Sequence, residues 1–222
     1  MAEDRALLFD LDGTMLDTDP IHMAVFTDMM APYGIEVDEQ FYMRHVHGRL
    51  NIDFFREFLP DQPDLQGLSE EKEAEFRRRL PRPYPPMPGL KSFLEARMNE
   101  GWRMGVVTNA MRPNAEAMLD AIGERARFEV VVIGEECPRG KPHPDPYRIG
   151  AEQLGVKPHR AIAFEDSPSG LRAARSAGCR VIGLTSSLAP DRLREAGAHH
   201  VISDFDDPAL PEILTQFKGA AA

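Results

Sequence analysis

Four aspartates stand close together near the amino terminus, in the stretch LLFDLDGTMLDTD at residues 7–19. Two of them, Asp10 and Asp12, are two residues apart and are followed directly by a glycine. Carboxylates this close repel each other and resist burial behind an apolar run. The spacing therefore indicates either a cation bound between the two aspartates or a carboxylate that takes part in chemistry.

Three further polar groups follow apolar runs later in the chain. They are Thr108 with Asn109, Lys141, and Glu165 with Asp166. If the apolar runs are parallel strands, their carboxyl ends share one edge of the sheet, and open α/β folds bind ligands at that edge. Alone, Thr108 would be interpreted as a strand-end hydroxyl bound to a backbone group. We expect Lys141 to open the next helix, and alone it would be interpreted as a solvent-exposed side chain. Their convergence with the acid pairs favours a functional site.

Taken together, these residues fit phosphoryl transfer. The carboxylates form an oxygen-rich, negative site that suits Mg²⁺, a hard cation. Lys141 and the cation would offset the charge of a bound phosphate, while Thr108 and nearby backbone N–H groups can hydrogen-bond to its oxygens. One carboxylate can then attack phosphorus and form an aspartyl-phosphate.

The elements that must position these residues alternate along the chain. Nearly continuous apolar runs predict strands at residues 5–10, 102–108, 128–134, 160–166 and 180–185. Amphipathic segments that end at a glycine predict the helices between them. This alternation predicts an α/β fold with a doubly wound parallel sheet, a Rossmann-like core.

Only helical patterns occur between the first and second predicted strands. This block ends in the proline-rich stretch PRPYPPMPG at residues 81–89, which suits a return to the core. We therefore expect an α/β catalytic core of residues 1–17 and 88–222, and an inserted α-helical cap domain of residues 18–87.

Composition limits the partners. The chain has 222 residues, is 42% hydrophobic and carries a net charge of −10, which argues against a nucleic-acid partner. We find neither an apolar run long enough for a membrane span nor a signal peptide, so no membrane partner is expected. Two distant cysteines, Cys137 and Cys179, are typical of a reduced protein, and we expect a cytoplasmic monomer or weak dimer.

Four segments, FDLDGTMLDT, VVTNA, RGKPHPD and FEDSPSG, resemble in order and spacing the four signature motifs of the haloacid dehalogenase superfamily. The inserted block resembles the helical cap of its phosphatase and β-phosphoglucomutase-like branch. The resemblance implies that Asp10 is the nucleophile and that Asp12 is the general acid/base. The other roles it implies are phosphate binding by Thr108 and Asn109, charge stabilisation by Lys141, and Mg²⁺ binding by Asp10, Asp12 (through its main-chain carbonyl), Glu165 and Asp166.

The cap offers weaker candidates. His22 matches a histidine that β-phosphoglucomutase-like members use near the transferred phosphate, and the alternative is a histidine on a helix face. Arg49 and Arg77 are candidates for contact with the distal part of the substrate. Lys72 lies in the segment SEEKEAEFRRR, whose charges four residues apart predict a salt-paired, solvated helix face.

Relatives with other activities differ at particular positions. True haloacid dehalogenases lack an acid at the position of Asp12, and phosphonoacetaldehyde hydrolases carry a Schiff-base lysine where this chain has Asn51. A signalling receiver would place its aspartate on a middle strand of a shorter chain, and an inactive binding protein would not need all four motifs. We therefore predict a Mg²⁺-dependent phosphatase that hydrolyses a small phosphomonoester, a sugar phosphate or a phosphoglycolate-like acid, through an aspartyl-phosphate. A β-phosphoglucomutase-like phosphomutase is the alternative.

Overall fold

The structure is a computed structural model that describes residues 5–47 and 49–220, without the side chains of 218–220. The chain divides into two compact units. The core unit comprises Met1–Asp17 and Pro83–Ala222, and the helical unit comprises Thr18–Arg82. The outer limits expected for the core, residues 1 and 222, lie outside the described residues.

The proline-rich segment belongs to the core unit from Pro83 onward, so the boundary falls after Arg82 and not after residue 87 as expected. Hydrogen bonds within the core unit explain this position. The Tyr84 N–H donates to the Ala121 carbonyl at 2.9 Å, and the Met87 N–H donates to the Met15 carbonyl at 2.8 Å.

The helices of the helical unit, and those between the predicted strands of the core unit, follow the predicted amphipathic segments. The helical unit contains α1 (Asp19–Met30), α2 (Glu39–His45), α3 (Asn51–Phe58) and α4 (Leu65–Arg79). The core unit contains α5 (Leu90–Asn99), α6 (Arg112–Ile122), α7 (Asp145–Gln153), α8 (Pro168–Ala177), α9 (Pro190–Ala196) and α10 (Leu210–Ala220). No helix among the described residues is both long and apolar enough to span a bilayer.

The core unit is built on a parallel sheet, which confirms the expected α/β fold. Its described strands are β1 (Ala6–Phe9), β2 (Arg103–Thr108), β3 (Val130–Ile133), β4 (Ala161–Glu165), β5 (Arg180–Leu184) and β6 (His200–Ile202). They lie in the order β3-β2-β1-β4-β5-β6. The sequence patterns predicted five of these strands. They missed β6, which has only three residues and is too short for an apolar run to be recognised.

The sheet is buried on both faces, which explains why its strands are continuously apolar. Leu8 of β1 belongs to the core cluster that also contains Tyr147 of α7 and Ala163 of β4. On the other face, the ring of Phe9 stacks on Phe164 with centroids 5.0 Å apart. With helices on both faces, the site must lie at an edge of the sheet.

The strand order reverses beside β1, which pairs with β2 on one side and β4 on the other. The residue after β1 is bound to the end of β4, since the Asp10 N–H donates to the Phe164 carbonyl at 3.0 Å. The crevice at such a switch point, beyond the carboxyl ends of the strands, is where open α/β sheets bind ligands.

The helical unit has its own apolar core, so it is a folded unit and not a loop. Buried aromatic rings of α1 and α3 pack edge to face, with the Phe26 and Phe54 centroids 5.0 Å apart. Two helices begin at aspartate caps: Asp38 accepts from the Phe41 N–H and Asp64 from the Gly67 N–H, both at 2.7 Å.

Candidate active site

Three carboxylates converge at the carboxyl ends of β1 and β4. Asp10 follows β1, Glu165 ends β4 and Asp166 follows it. Each offers an oxygen within 4.8 Å of the others, and all three residues are buried. Like charges held this close inside a protein need a compensating cation.

Lys141 supplies one positive charge. Its Nζ donates to Asp10 Oδ1 at 2.5 Å and to Glu165 Oε1 at 2.5 Å, and the side chain is buried. The expectation that Lys141 opens a helix is wrong, because α7 begins only at Asp145. The residue lies in the preceding loop, which lets the ammonium reach the edge of the sheet.

Asn109, which follows β2, fixes the backbone of that loop. Its Oδ1 accepts from the Lys141 N–H at 3.2 Å, and its Nδ2 donates to the Lys141 carbonyl at 3.3 Å. The amide packs so closely on Gly134 that a Cβ there would lie 2.1 Å from Asn109 Oδ1. The side chain of Asn109 thus positions Lys141. The expected contact of Asn109 with phosphate stays a prediction.

Glu165 is surrounded by donors. In addition to Lys141, the Tyr147 hydroxyl donates to its Oε1 at 2.8 Å, and the Ser167 hydroxyl donates to its Oε2 at 3.0 Å. Gly170 leaves room for the carboxylate, because a Cβ at that position would lie 1.7 Å from Oε1. These contacts hold Glu165 in one orientation against Lys141.

Asp166 is held by a second set of hydroxyls. The Thr14 hydroxyl donates to its Oδ1 at 3.2 Å, and the Ser187 hydroxyl donates to its Oδ2. Gly13 adopts φ +76°, and a Cβ there would lie 2.2 Å from Asp166 Oδ2. The glycine of the DLDG segment therefore permits both the left-handed turn and the close approach of the carboxylate.

Thr108 and Asp12 complete the predicted core set. The Thr108 hydroxyl accepts from the Ala110 N–H at 3.0 Å, so its hydrogen remains for donation to a ligand. Asp12 is half-buried and near enough to Asp166 to contribute to the raised pKa of that carboxyl.

Burial dominates the electrostatics of the site. It raises the pKa of Asp10 to about 7 even though the Lys141 ammonium opposes the shift. Burial, followed by the charges of Asp10 and Glu165, raises the pKa of Asp166 well above its ordinary value. Burial alone would lower the pKa of Lys141, but the two carboxylates outweigh it and raise that pKa. One ammonium is thus too little positive charge for three carboxylates, and an oxygen-only donor set of this kind fits a hard divalent cation.

In the helical unit, Lys72 differs from the expectation of a solvated residue. It is buried, and its Nζ lies 2.7 Å from His22 Nδ1 and 2.9 Å from Glu73 Oε1. The His22 ring stacks on Phe76 with centroids 4.1 Å apart. The expected salt pairing is confirmed further along α4, where the Glu75–Arg79 pair lies at 2.5 Å.

The two candidate arginines of the cap, Arg49 and Arg77, both lie in the helical unit. The Arg49 guanidinium donates to Glu57 Oε2 at 2.9 Å and to two backbone carbonyls, those of His45 and Asp53. Arg77 is half-buried on α4. Substrate contact by His22, Arg49 and Arg77 stays a prediction.

Sequence reasoning missed several residues that hold the carboxylates. They are Thr14, Tyr147, Ser167 and Ser187, and Ser186 was missed as well, whose hydroxyl donates to the Gly13 carbonyl. A signal existed for two of them, because Ser186 and Ser187 follow β5 at the same edge of the sheet. Tyr147 lies within α7, where nothing in the sequence separates it from an ordinary core residue.

The chain matches the family model described as haloacid dehalogenase-like hydrolase over residues 7–184. It therefore belongs to the haloacid dehalogenase-like hydrolases, as the four motifs predicted, and the expectation of an enzyme of this class is confirmed. The expected branch, that of helical-cap phosphatases and phosphomutases, is confirmed by the relatives.

A phosphorylated carbohydrates phosphatase of Thermotoga maritima is 30% identical over 198 residues, which cover 87% of this chain and 92% of the relative. A fructose-1-phosphate phosphatase of Escherichia coli is 33% identical over 178 residues, covering 78% and 92%. The crystal structure of a β-phosphoglucomutase from Clostridium difficile has a TM-score of 0.82 and covers 98% of both chains. At 22% identity it supports the fold alone.

Proposed function

We propose that this protein is a Mg²⁺-dependent phosphatase that hydrolyses a small phosphomonoester through a phosphorylated Asp10. The observation that carries the proposal is the buried Lys141 ammonium held at 2.5 Å from both Asp10 and Glu165, with Asp166 beside them. A carboxylate beside a fixed cation at the carboxyl edge of the sheet suits nucleophilic attack on a dianionic substrate.

Asp10 and Asp166 would hold the metal, with the main-chain carbonyl of Asp12. Glu165 belongs to the same cluster, and because its Oε1 already accepts from both the Lys141 ammonium and the Tyr147 hydroxyl, it also fixes Lys141 and adds negative charge beside the metal. When bound, Mg²⁺ supplies positive charge that keeps the carboxylates ionised and offsets the phosphate oxygens.

The reaction follows from the positions of the two aspartates. An Asp10 oxygen attacks phosphorus as the ester P–O bond breaks, and Asp12 gives its proton to the leaving alkoxide. Asp12, now a carboxylate, takes a proton from water as that water attacks the phosphoryl group. As the bond between phosphorus and Asp10 breaks, inorganic phosphate is released. Asp10 is again a carboxylate and Asp12 is again protonated.

Lys141 and Thr108 act on the transferred phosphoryl group. Lys141 offsets its charge, and the Thr108 hydroxyl, which accepts from a backbone N–H, donates its hydrogen to a phosphoryl oxygen. The names of the two phosphatase relatives support a phosphorylated carbohydrate as substrate. His22, Arg49 and Arg77 are our candidates for contact with the carbohydrate.

Location and assembly are part of the same proposal. Both cysteines are free thiols, as suits a reducing compartment, so we place the enzyme in the cytoplasm as a monomer or weak dimer.

Phosphate release from p-nitrophenyl phosphate and from a panel of sugar phosphates tests the proposal. Activity should require Mg²⁺, disappear with excess chelator and return when Mg²⁺ is restored. Asp10→Asn should abolish turnover, whereas the matched control Asp191→Asn, on the exposed side of α9, should not change it. Rapid quench should trap phosphate on Asp10. Turnover by Asp10→Asn at the rate of the control would contradict the proposal.

A phosphomutase built on the same chemistry is the second candidate. The observation in its favour is the Lys72–His22 pair, since a mutase needs cationic and donor groups in the helical unit to hold a second phosphate. Glu73 already balances the charge of Lys72, which favours hydrolysis. Supplying β-glucose 1-phosphate with a trace of the 1,6-bisphosphate separates the two: we expect free phosphate, whereas rapid isomerisation with little phosphate released would favour the mutase.

A further inference from the structure

A cavity of about 240 Å³ lies in the core unit at the edge of the sheet opposite to the carboxylates. Its walls come from the loop before β4, the start of β5, the residue before β6, and α10. The lining side chains on which the argument depends are His159, Arg180, His199 and Gln216. The phosphatase chemistry does not use any of them.

Arg180 gives this cavity an unbalanced positive charge. One N–H of its guanidinium contacts His200 Nε2 at 2.7 Å, which leaves other N–H groups of the fork for a ligand. Within residues 5–47 and 49–217, no carboxylate forms an ion pair with Arg180. Arg103, in contrast, is neutralised by an ion pair with Glu129.

His199 adds a hydrogen-bond donor, because the tautomer of its ring is fixed. Its Nδ1 accepts from the Val181 N–H at 2.9 Å, so the ring hydrogen is on Nε2. Burial, together with the positive charges of Arg175, Arg180 and His200, lowers the pKa of His199 to about 4. The ring is therefore a neutral donor at neutral pH, in a positive local field.

We propose that this cavity binds a small tetrahedral oxyanion, either inorganic phosphate or the phosphate group of a small ester, at a second site remote from the carboxylate cluster. Arg180 supplies charge and a forked set of donors, as phosphate recognition requires. His199 Nε2–H supplies a neutral donor, and the Gln216 amide, which donates one hydrogen to Glu212 Oε1 at 3.2 Å, has a second hydrogen to donate. The volume lies below the roughly 300–1,000 Å³ of pockets that hold drug-sized ligands, which suits a small anion.

The site has a structural consequence. The anion would join the starts of β5 and β6 to α10, and it would bind the folded core unit only. At anion concentrations above the dissociation constant, the free energy of unfolding of that unit should therefore rise linearly with the logarithm of the anion concentration.

Imidazole and backbone-amide NMR of the full-length protein tests the proposal. Inorganic phosphate and glucose 6-phosphate are titrated separately, with chelator present and ionic strength held constant by sodium chloride. We expect saturable shifts of the His159 and His199 rings and of the Arg180 amide. Tighter binding of phosphate identifies the free anion as ligand, and tighter binding of glucose 6-phosphate identifies the ester.

Variants make the assignment specific. Arg180→Gln should weaken binding about ten-fold or more, because it removes charged hydrogen bonds to the anion. Arg192→Gln, an exposed arginine of α9, is the matched control and should bind as the unchanged protein does. Gln216→Ala, at an exposed position of α10, provides a milder second variant and should weaken binding several-fold. Shifts that chloride reproduces, that do not saturate, or that neither Arg180→Gln nor Gln216→Ala alters would overturn the proposal.

Discussion

Replacing Lys141 by methionine should destabilise the core unit far more than the loss of an ordinary lysine. The substitution removes the ammonium that lies 2.5 Å from both Asp10 and Glu165 and leaves their carboxylates buried without it. At an effective dielectric constant of about 20, each contact corresponds to roughly 6–7 kcal/mol of Coulomb attraction. Desolvation of the ammonium offsets much of this, and breaking a buried pair by removing one partner costs about 3–5 kcal/mol.

Urea unfolding with chelator present measures this cost, and thermal unfolding should show a fall of about 6–20 °C for a chain of this size. Lys157→Met, at an exposed position, is the matched control and should change the free energy of unfolding by less than about 0.5 kcal/mol. Adding Asp10→Asn to Lys141→Met should recover part of the loss, because one uncompensated carboxylate is removed. If Lys141→Met unfolds like Lys157→Met, the ammonium does not hold the site together and our account of it is wrong.

Three further variants test the surroundings of the site and of the cavity. Tyr147→Phe removes the hydroxyl that donates to Glu165 at 2.8 Å. It should lower kcat and lower the free energy of unfolding in urea by about 1.5–3 kcal/mol. Unchanged values for both would refute the contact. Gly170→Ala would ordinarily stabilise a helix by about 1 kcal/mol, but a Cβ 1.7 Å from Glu165 Oε1 should reverse the sign and reduce activity, so a more stable variant would contradict the packing. His199 has a pKa of about 4 in the folded protein and 6.5 ordinarily, so the unfolded chain binds the extra proton between these values. The contribution of His199 to the free energy of unfolding should therefore be complete above pH 6.5 and fall by about 1–2 kcal/mol toward pH 4, allowing for solvent screening. A His199→Gln variant with the same pH dependence as the unchanged protein would exclude this ring as the cause.

The strands and the residues at their carboxyl ends could be predicted because their signals are local. A strand covered on both faces must be apolar along its length, so each run and the polar residue that ends it are visible in the sequence. The parallel arrangement then places Asp10, Thr108 and Glu165 at one edge without any knowledge of their contacts. The return to the core unit at Pro83 was displaced, because it depends on tertiary hydrogen bonds from Tyr84 and Met87 that are not visible in the sequence.

Residues that act through tertiary contact could not be predicted. Tyr147 lies on the buried face of α7, where the helical period predicts only an apolar neighbour, and its hydroxyl reaches a carboxylate from another strand. Lys72 lies among charged residues that suggest a solvated face, yet its ammonium is buried against His22 of a different helix. Such pairings arise from packing between elements, which period and propensity do not encode.

The burial of the acid cluster follows from the reaction that we propose. Where water is excluded, the electrostatic attraction of a fixed ammonium and a bound cation for phosphate is screened less. The free-energy cost of dehydrating the carboxylates is therefore recovered in the transition state. The same burial raises the pKa of Asp10 to about 7, where a carboxyl group is only partly ionised at neutral pH and is a poor nucleophile. Asp10 therefore needs a further cation, in addition to the Lys141 ammonium, before an ester arrives. Because a dianionic phosphate would meet three carboxylates and one ammonium, the charge of the site favours binding of the metal first and of the substrate second.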